Sequence, residues 1–235
     1  MFKRRGRFGF RSNIAALALG FVALAALTAP SARRAATAAA VAPGVIPIAE
    51  ARALPSGSEV VLEGSVSVPS GAFKSGTSDE GFVMQDRSGG IYVRTAANLG
   101  LRVRQQVRVA GRLADSNGLL ILVPARARDV RVRGRGMKIA AEFVSTGRIN
   151  EATEGRLLRV AGRITKPVAN DLPYGYRLFI DDGSGEVQAF VYVSTGIDVS
   201  GLRPGQRIGV TGFGGQYNDH YEIIPRFQSD ISPRR

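Results

Sequence analysis

From about residue 45 onward, apolar and polar residues alternate in short runs that are separated by Gly, Asn, Asp and Pro. Alternation with a period of two is typical of β-strands that bury one face, and the separating residues are those of tight turns. The pattern predicts five strands in the first half, near 59–68, 81–86, 90–95, 106–113 and 118–124. It predicts five more in the second half, near 156–165, 176–181, 186–193, 207–213 and 220–224.

The two sets of strands are copies of one unit. "VVLEGSV" (60–66) corresponds to "LRVAGRI" (158–164), and "GFVMQDRSGGIYVR" (81–94) corresponds to "RLFIDDGSGEVQAF" (177–190). Gly111 and Gly212 are 101 residues apart, and so are Pro124 and Pro225. Five short strands with glycine in mid-strand suit a small closed barrel, whereas a β-sandwich needs about seven strands. We therefore predict an all-β chain with two five-stranded barrels of the same strand order, over residues 45–135 and 140–232.

These motifs also carry a resemblance to a known family. "EVVLEGSV", "GFVMQDRSGGIYV" and "QVRVAGRL" resemble the OB-fold domains of secreted bacterial proteins, and "GRLLRVAGRIT" with "RLFIDDGSGEVQAFV" is more similar still. In that family such domains lie beside extracellular nuclease or phosphoesterase domains, or stand alone in tandem. The resemblance covers residues 45–232 and implies tandem Greek-key barrels that bind a ligand, with no catalytic domain carried over.

The first forty residues read as an export signal. A basic segment, "MFKRRGRFGFRSN", precedes the apolar run "IAALALGFVALAALTA" and a tract of small residues. That order is typical of a secretory signal peptide, and the apolar run is short for a membrane span. We therefore expect a secreted or periplasmic protein, which stays tethered to the membrane if the signal peptide is not cleaved.

Beyond the first forty residues, which hold seven Lys and Arg and no acidic residue, the positive charge is concentrated in one region. The chain carries 32 Lys and Arg against 19 Asp and Glu, and residues 99–138 alone hold ten of the basic residues and two of the acidic ones. Such a stripe can neutralise phosphates or an acidic polysaccharide, and it can equally be a solvated edge that protects a strand from aggregation. The arginines predicted to bind a polyanion, either nucleic acid or acidic glycan, are Arg102, Arg104, Arg108, Arg126, Arg128, Arg131 and Arg133.

A second candidate surface is the outward face of strands two and three in the second unit. If Leu178, Ile180, Val187, Ala189 and Val191 face the core, the opposite parity presents aromatic residues together with arginine. Single-stranded nucleic acids use such a face for base stacking, although the same aromatics can pack against the other barrel or an envelope protein partner. The residues of this candidate surface are Arg177, Phe179, Phe190 and Tyr192, with Gln188 between them.

The chain offers little for catalysis or metal binding. It has no Cys and a single histidine, His220, and it lacks the nucleophile elbow, the phosphate-binding loop and the EF-hand pattern. We therefore predict a non-catalytic binding module without metal or cofactor. Two alternatives stay open, namely a protein-interaction or scaffold module of the cell envelope, and a metal-dependent hydrolase built on His220, Asp219, Asp181 and Asp182.

Overall fold

The structure is a computed structural model that describes residues 44–74 and 79–233. These residues belong to one compact unit, Val41–Arg235. The signal peptide predicted over residues 1–40 lies outside the described residues. Within the described ranges no helix has the length and hydrophobicity needed to cross a membrane.

The first half of the chain forms a closed five-stranded barrel, which we call barrel 1. Strand β2 pairs with both β3 and β5, β3 pairs with β4, and the parallel β4–β6 and antiparallel β5–β6 pairings complete the ring. The short strands β1 and β7 pair with β2 and β5 respectively. The elements are β1 Val45–Ile46, α1 Ile48–Arg52, β2 Glu59–Val68, β3 Phe82–Gln85, β4 Gly90–Val93, β5 Gln105–Ser116, β6 Leu119–Val123 and β7 Val130–Arg135.

The second half forms another sheet, called sheet 2, with corresponding pairings. Strand β9 pairs with both β11 and β13, β11 pairs with β12, β12 pairs in parallel with β14, and β13 pairs with β14. Strands β8, β10 and β15 add to β9, β11 and β13. The elements are β8 Glu142–Phe143, β9 Leu157–Ile164, β10 Ala169–Asp171, β11 Gly175–Asp181, β12 Val187–Tyr192, β13 Arg207–Tyr217, β14 His220–Ile224 and β15 Ile231–Pro233.

Short 3₁₀ turns connect several of these strands. A turn precedes β7 at Ala127–Asp129, and an equivalent turn precedes β15 at Gln228–Asp230. Two more turns lie between β8 and β9, and one follows β12. These three turns span Thr146–Arg148, Glu151–Thr153 and Val193–Thr195.

The repeat extends to single backbone conformations. Asn117 and Asn218, 101 residues apart, both have φ of 55° in the last hairpin of their sheet. Arg104 has φ of 71° where the second copy has Gly205 at 85°, so the arginine occupies a left-handed turn position that favours glycine. The prediction of an all-β chain with a closed five-stranded barrel is confirmed. The OB-fold assignment of both copies and their domain boundaries remain predictions.

Each sheet encloses its own apolar core. In sheet 2 the predicted inward residues Leu178, Ile180, Val187, Ala189 and Val191 are all buried in one cluster. In barrel 1 an equivalent cluster includes Leu62, Met84, Ile91 and Val109. The alternation of apolar residues was therefore sufficient to identify the core-facing parity of these strands.

A third cluster joins barrel 1 to sheet 2. The Phe73 ring, from the loop after β2, stacks on Tyr192 with centroids 5.4 Å apart and lies 6.4 Å from Phe213. Tyr92 of β4 also packs on Phe213, at 6.2 Å. Backbones meet beside this cluster, because a Cβ placed on Gly155 would lie 2.1 Å from the carbonyl oxygen of Gly90. The contact therefore needs glycine at both positions.

Candidate polyanion-binding surface

The arginine-rich surface is built on strand β7, which lies at the end of the barrel 1 sheet and pairs with β5. Its sequence alternates Val130 and Val132 with Arg131 and Arg133, so that one parity of the strand is cationic. Val130 packs against the core of barrel 1, which fixes the strand in place. Arg131 is consequently paired with Arg108 of β5, and the two arginines stand side by side on the outer face.

Most of the predicted arginines are exposed, and Arg133 among them helps lower the pKa of the nearby Glu63 carboxyl. Among the residues that the structure describes, five of them are exposed and form no ion pair. Exposed arginines without a carboxylate partner keep their full charge and hydrogen-bonding capacity for a ligand. These residues are Arg102, Arg126, Arg128, Arg131 and Arg133, which we call the arginine surface.

The two remaining predicted arginines are less available to a ligand, since Arg108 is paired with a glutamate and Arg104 is half-buried. Arg108 lies 2.8 Å from Glu63 of β2, and this bond is the largest cause of a lowered pKa of the Glu63 carboxyl. Arg104 is half-buried, and its Nε is buried without a hydrogen-bond partner among the described residues. The structure therefore separates Arg104 and Arg108 from the arginine surface, although the sequence groups them with it.

Sheet 2 repeats the arginine surface only in part. At the shift of 101 residues, Arg102 and Arg133 correspond to Arg203 and Arg234, whereas Arg126, Arg128 and Arg131 correspond to Phe227, Ser229 and Ser232. Strand β15, Ile231–Pro233, contains no arginine and still pairs with β13 as β7 pairs with β5. Arginine at position 131 is therefore not required for this strand to form.

Two aromatic side chains of the predicted binding face, Phe190 and Tyr192, are covered by other side chains in the structure. Phe190 is only 9% exposed, and its ring meets Tyr192 edge to face at 4.8 Å. Tyr192 in turn stacks on Phe73 of barrel 1. Of the two alternatives left open by the sequence, the structure therefore shows packing against barrel 1 for Tyr192, while Phe190 is buried beside Tyr192 within sheet 2.

Arg177 and Phe179 lie on β11, beside this contact, and have partners within sheet 2. The Arg177 side chain is 3.8 Å from Asp171, and its Nε is buried without a hydrogen-bond partner in the described part of the chain. The ammonium of Lys166 lies 4.4 Å from the centre of the Phe179 ring, a cation–π distance. Both side chains are half-buried and are held by these neighbours.

The only histidine of the chain occupies an exposed hairpin end. His220 begins β14, its Nδ1 lies 3.6 Å from the almost fully exposed Asp219, and its ring meets the edge of Tyr217. Across the described ranges, no group of three or more His, Cys, Asp and Glu side chains is placed to hold a metal ion. The alternative of a metal-dependent hydrolase therefore has no assembled site in this part of the chain.

Asp181 and Asp182 shape the hairpin between β11 and β12. Asp182 accepts hydrogen bonds from the Thr146 hydroxyl at 2.8 Å, from the Thr146 backbone amide and from Ser184. These donors, with Ser184 the largest cause, lower the pKa of Asp182 to about 2. Asp181 accepts from the amide of Gly183 in the same turn. The carboxylates thus cap backbone amides.

Barrel 1 repeats this cap, a feature that the sequence analysis missed. Asp86 accepts from the backbone amide of Ile48 at 3.0 Å, and the Ser88 hydroxyl accepts from the amide of Ala49. The Asp and Ser side chains of the Asp-x-Ser-Gly motif thus bond each hairpin to a short helical element, helix α1 in barrel 1 and the turn Thr146–Arg148 in sheet 2. The matching "DRSG" (86–89) and "DGSG" (182–185) stretches carried that signal.

A buried carboxylate was also missed. Glu222 on the outer side of β14 is only 5% exposed, and burial raises the pKa of its carboxyl. It accepts a hydrogen bond of 2.8 Å from the Gln188 side chain of the neighbouring strand. The equivalent residue of barrel 1 is Ile121, so the repeat gave no sign of a polar pair at this position.

Comparisons with known proteins give structural similarity alone. No protein-family model matches the sequence, and a comparison with curated proteins gives no match. One similar solved structure is the hypothetical protein YgiW from E. coli, at 18% identity and TM-score 0.30, covering 38% of this chain and 89% of that one. Another is a replication protein A heterotrimer bound to ssDNA, at 14% identity and TM-score 0.31, covering 40% and 82%. A murine DNA-binding protein bound to dsDNA has 9% identity and TM-score 0.42, covering 74% and 96%.

Proposed function

We propose that this chain is an exported, non-catalytic tandem OB-fold protein that binds a polyanion such as a nucleic acid through the arginine surface of barrel 1. The observation that carries the proposal is the set of five exposed arginines, which form no ion pair among the described residues. Two of them lie on β7, whose counterpart β15 contains no arginine. The export signal in the sequence supports a periplasmic or extracellular location. The exposed, isolated His220 supports a role other than catalysis.

The geometry of β7 suits a linear, negatively charged ligand. Arg131 and Arg133 lie on β7, and Arg126 and Arg128 lie directly before it, so the cationic groups follow one another along a short stretch of chain that an extended anionic ligand can contact. Each anionic group that an arginine neutralises releases counterions, which makes the binding salt-dependent. The covered positions of Phe190 and Tyr192 remove those rings from the proposed contact, so the interaction is mainly electrostatic.

A second candidate function is a protein-interaction or scaffold module, and exposed apolar residues support it. Val103, Val132 and Met137 lie within the same segment as the arginines and are 39%, 51% and 41% exposed. Apolar side chains among cations suit a protein surface that carries both kinds of group. Binding of an envelope protein partner here would depend less on salt than binding of a nucleic acid.

A salt titration tests the proposal. The full-length chain is titrated with labelled single-stranded DNA, RNA and an acidic glycan, and log affinity is plotted against log salt. Replacing four arginines by glutamine should flatten the slope by about 3, since each engaged arginine contributes roughly 0.7 to 0.9. The four substitutions are R126Q, R128Q, R131Q and R133Q.

A matched variant separates local binding from net charge. It removes the same number of exposed arginines elsewhere, so both proteins have the same net charge and the same leader. The control substitutions are R87Q, R148Q, R163Q and R207Q. We expect the control to keep most of the slope. Equal flattening in both variants, or an unchanged slope in the first, would leave the arginine surface as a solvated edge.

A further inference from the structure

We infer that the polyanion held at the arginine surface is an acidic polypeptide segment in extended conformation, which pairs with the free edge of β7 as an added strand. The inference rests on the proposed polyanion function and names the class of ligand. It follows from three observations on β7, namely the direction of its backbone groups, its difference from β15 and the residues around it.

Among the described residues, no strand pairs with the outer edge of β7. Strand β7 ends the sheet, and the amide of Val130 donates to the carbonyl of Ala127 instead of to β5. Val109 and Val130 therefore lie opposite each other without exchanging hydrogen bonds. Hydrogen-bonded and non-hydrogen-bonded pairs alternate along an antiparallel ladder, so Val107 and Val132, two residues further on, exchange none either. The amide and carbonyl of Val132 consequently point away from β5, toward solvent.

The equivalent edge of sheet 2 is blocked. Pro233 of β15 pairs with Ile208 of β13, and both are 101 residues beyond Val132 and Val107. Proline has no amide hydrogen, so it suits a position whose N–H would face outward, and it prevents another strand from pairing there. Barrel 1 has valine at this position and keeps the edge available.

The surroundings of the edge select an acidic peptide. Arg131 and Arg133 would face identical arginines in a second copy of the chain, which disfavours self-association through this edge. Residues 99–138 contain no aromatic residue, so the segment that carries the arginines supplies none of the rings on which nucleic acid bases stack. An extended peptide with alternating acidic and apolar residues would place carboxylates beside Arg131 and an apolar side chain beside the half-exposed Val132.

The experiment compares three probes on the full-length chain at constant salt. The first is a short peptide of alternating glutamate and valine, and the second is the same peptide with N-methyl groups on alternate amides. The methyl groups keep the charge and prevent strand pairing. The third probe is oligo-dT, which carries charge without peptide amides. We expect N-methylation to weaken binding about tenfold, the effect of losing one or two backbone hydrogen bonds.

Variants at one position complete the test. Val132→Pro should weaken binding of the unmodified peptide about tenfold and leave oligo-dT within about twofold, because the arginines are unchanged. Val132→Ala, which keeps the amide, should bind the peptide within about twofold of the parent. If Val132→Pro fails to fold, the N-methylated peptide on the parent protein decides the question.

Other results would overturn the inference. Equal binding of both peptides means that charge alone holds the ligand, and the added strand is wrong. Tighter binding of oligo-dT than of the peptide assigns the surface to nucleic acid and likewise overturns the acidic peptide. If no probe shows salt-dependent binding, the polyanion function itself fails, and the inference fails with it.

Discussion

Replacing Arg52 should destabilise the folded chain, because the buried carboxylate of Glu154 would lose its ion-pair partner. Arg52 ends helix α1, and its guanidinium Nη2 lies 2.6 Å from Glu151 and 2.8 Å from Glu154. The Glu154 side chain is fully buried, and it also accepts a weak hydrogen bond from the amide of Leu120. In Arg52→Met the apolar stem remains, but Glu154 loses the one cation that is bonded to it in the described part of the chain.

The expected magnitude follows from that burial. Removing one partner of a buried ion pair costs about 3 to 5 kcal/mol, because the remaining charge is neither hydrated nor compensated. For a chain of this size, a loss of 1 kcal/mol lowers the melting temperature by about 2 to 4 °C. Arg52→Met should therefore melt roughly 6 to 20 °C below the parent protein.

The effect should depend on pH. Burial raises the pKa of Glu154 in the folded chain, while the bond from Arg52 is the largest influence that lowers it. A carboxyl whose pKa is higher in the folded than in the unfolded chain stabilises the folded state fully at a pH below its unfolded-state pKa. That contribution is lost as the pH rises through the folded-state pKa. Without Arg52 the pKa rises further, so the destabilisation at pH 8 should exceed that at pH 5.

A double-mutant cycle supplies the control. Glu154→Gln removes the charge, and combining it with Arg52→Met should recover much of the lost stability, because no buried charge remains. Urea unfolding followed by circular dichroism at pH 5 and pH 8 gives the four free energies. A loss below about 1 kcal/mol for Arg52→Met, or a loss independent of pH, would refute the assigned role of this ion pair.

Three further predictions concern the close contact of Gly155 with Gly90, the cap formed by Asp182, and His220. Gly155→Ala should lower the free energy of unfolding by about 2 kcal/mol or more, since Gly155 has φ of 79° and faces the carbonyl of Gly90; a urea titration that matches the parent would contradict this. Asp182→Ala should cost about 1 kcal/mol as a lost cap on Thr146, a difference present above pH 3.8 that disappears as the pH falls through about 2, measured by thermal melts across that range. His220→Ala should leave polyanion affinity within about twofold, because the ring is exposed at a hairpin end; loss of a hydrolytic activity in the variant would overturn the non-catalytic proposal.

The sequence alone was sufficient for the ten strands of the repeat and for their core-facing parity, but it did not predict the additional strands β1, β7, β8, β10 and β15. Alternation is a local signal, since side chains two apart share a face, and it placed Leu178, Ile180 and Val187 correctly in the core. The shift of 101 residues likewise predicted corresponding pairings, because equivalent positions in the two copies form equivalent turns, such as those at Asn117 and Asn218. Both signals lie within the few residues that form each element.

Only the tertiary structure decided which faces are open. The aromatic parity of β12 reads as a binding surface in the sequence, but Phe73, more than a hundred residues away, covers Tyr192. Burial of Glu154 against Arg52 joins residues 102 apart, and pairing of Arg108 with Glu63 joins residues 45 apart. A period-two pattern states which side of a strand is polar, and it carries no information about what another part of the chain brings against that side.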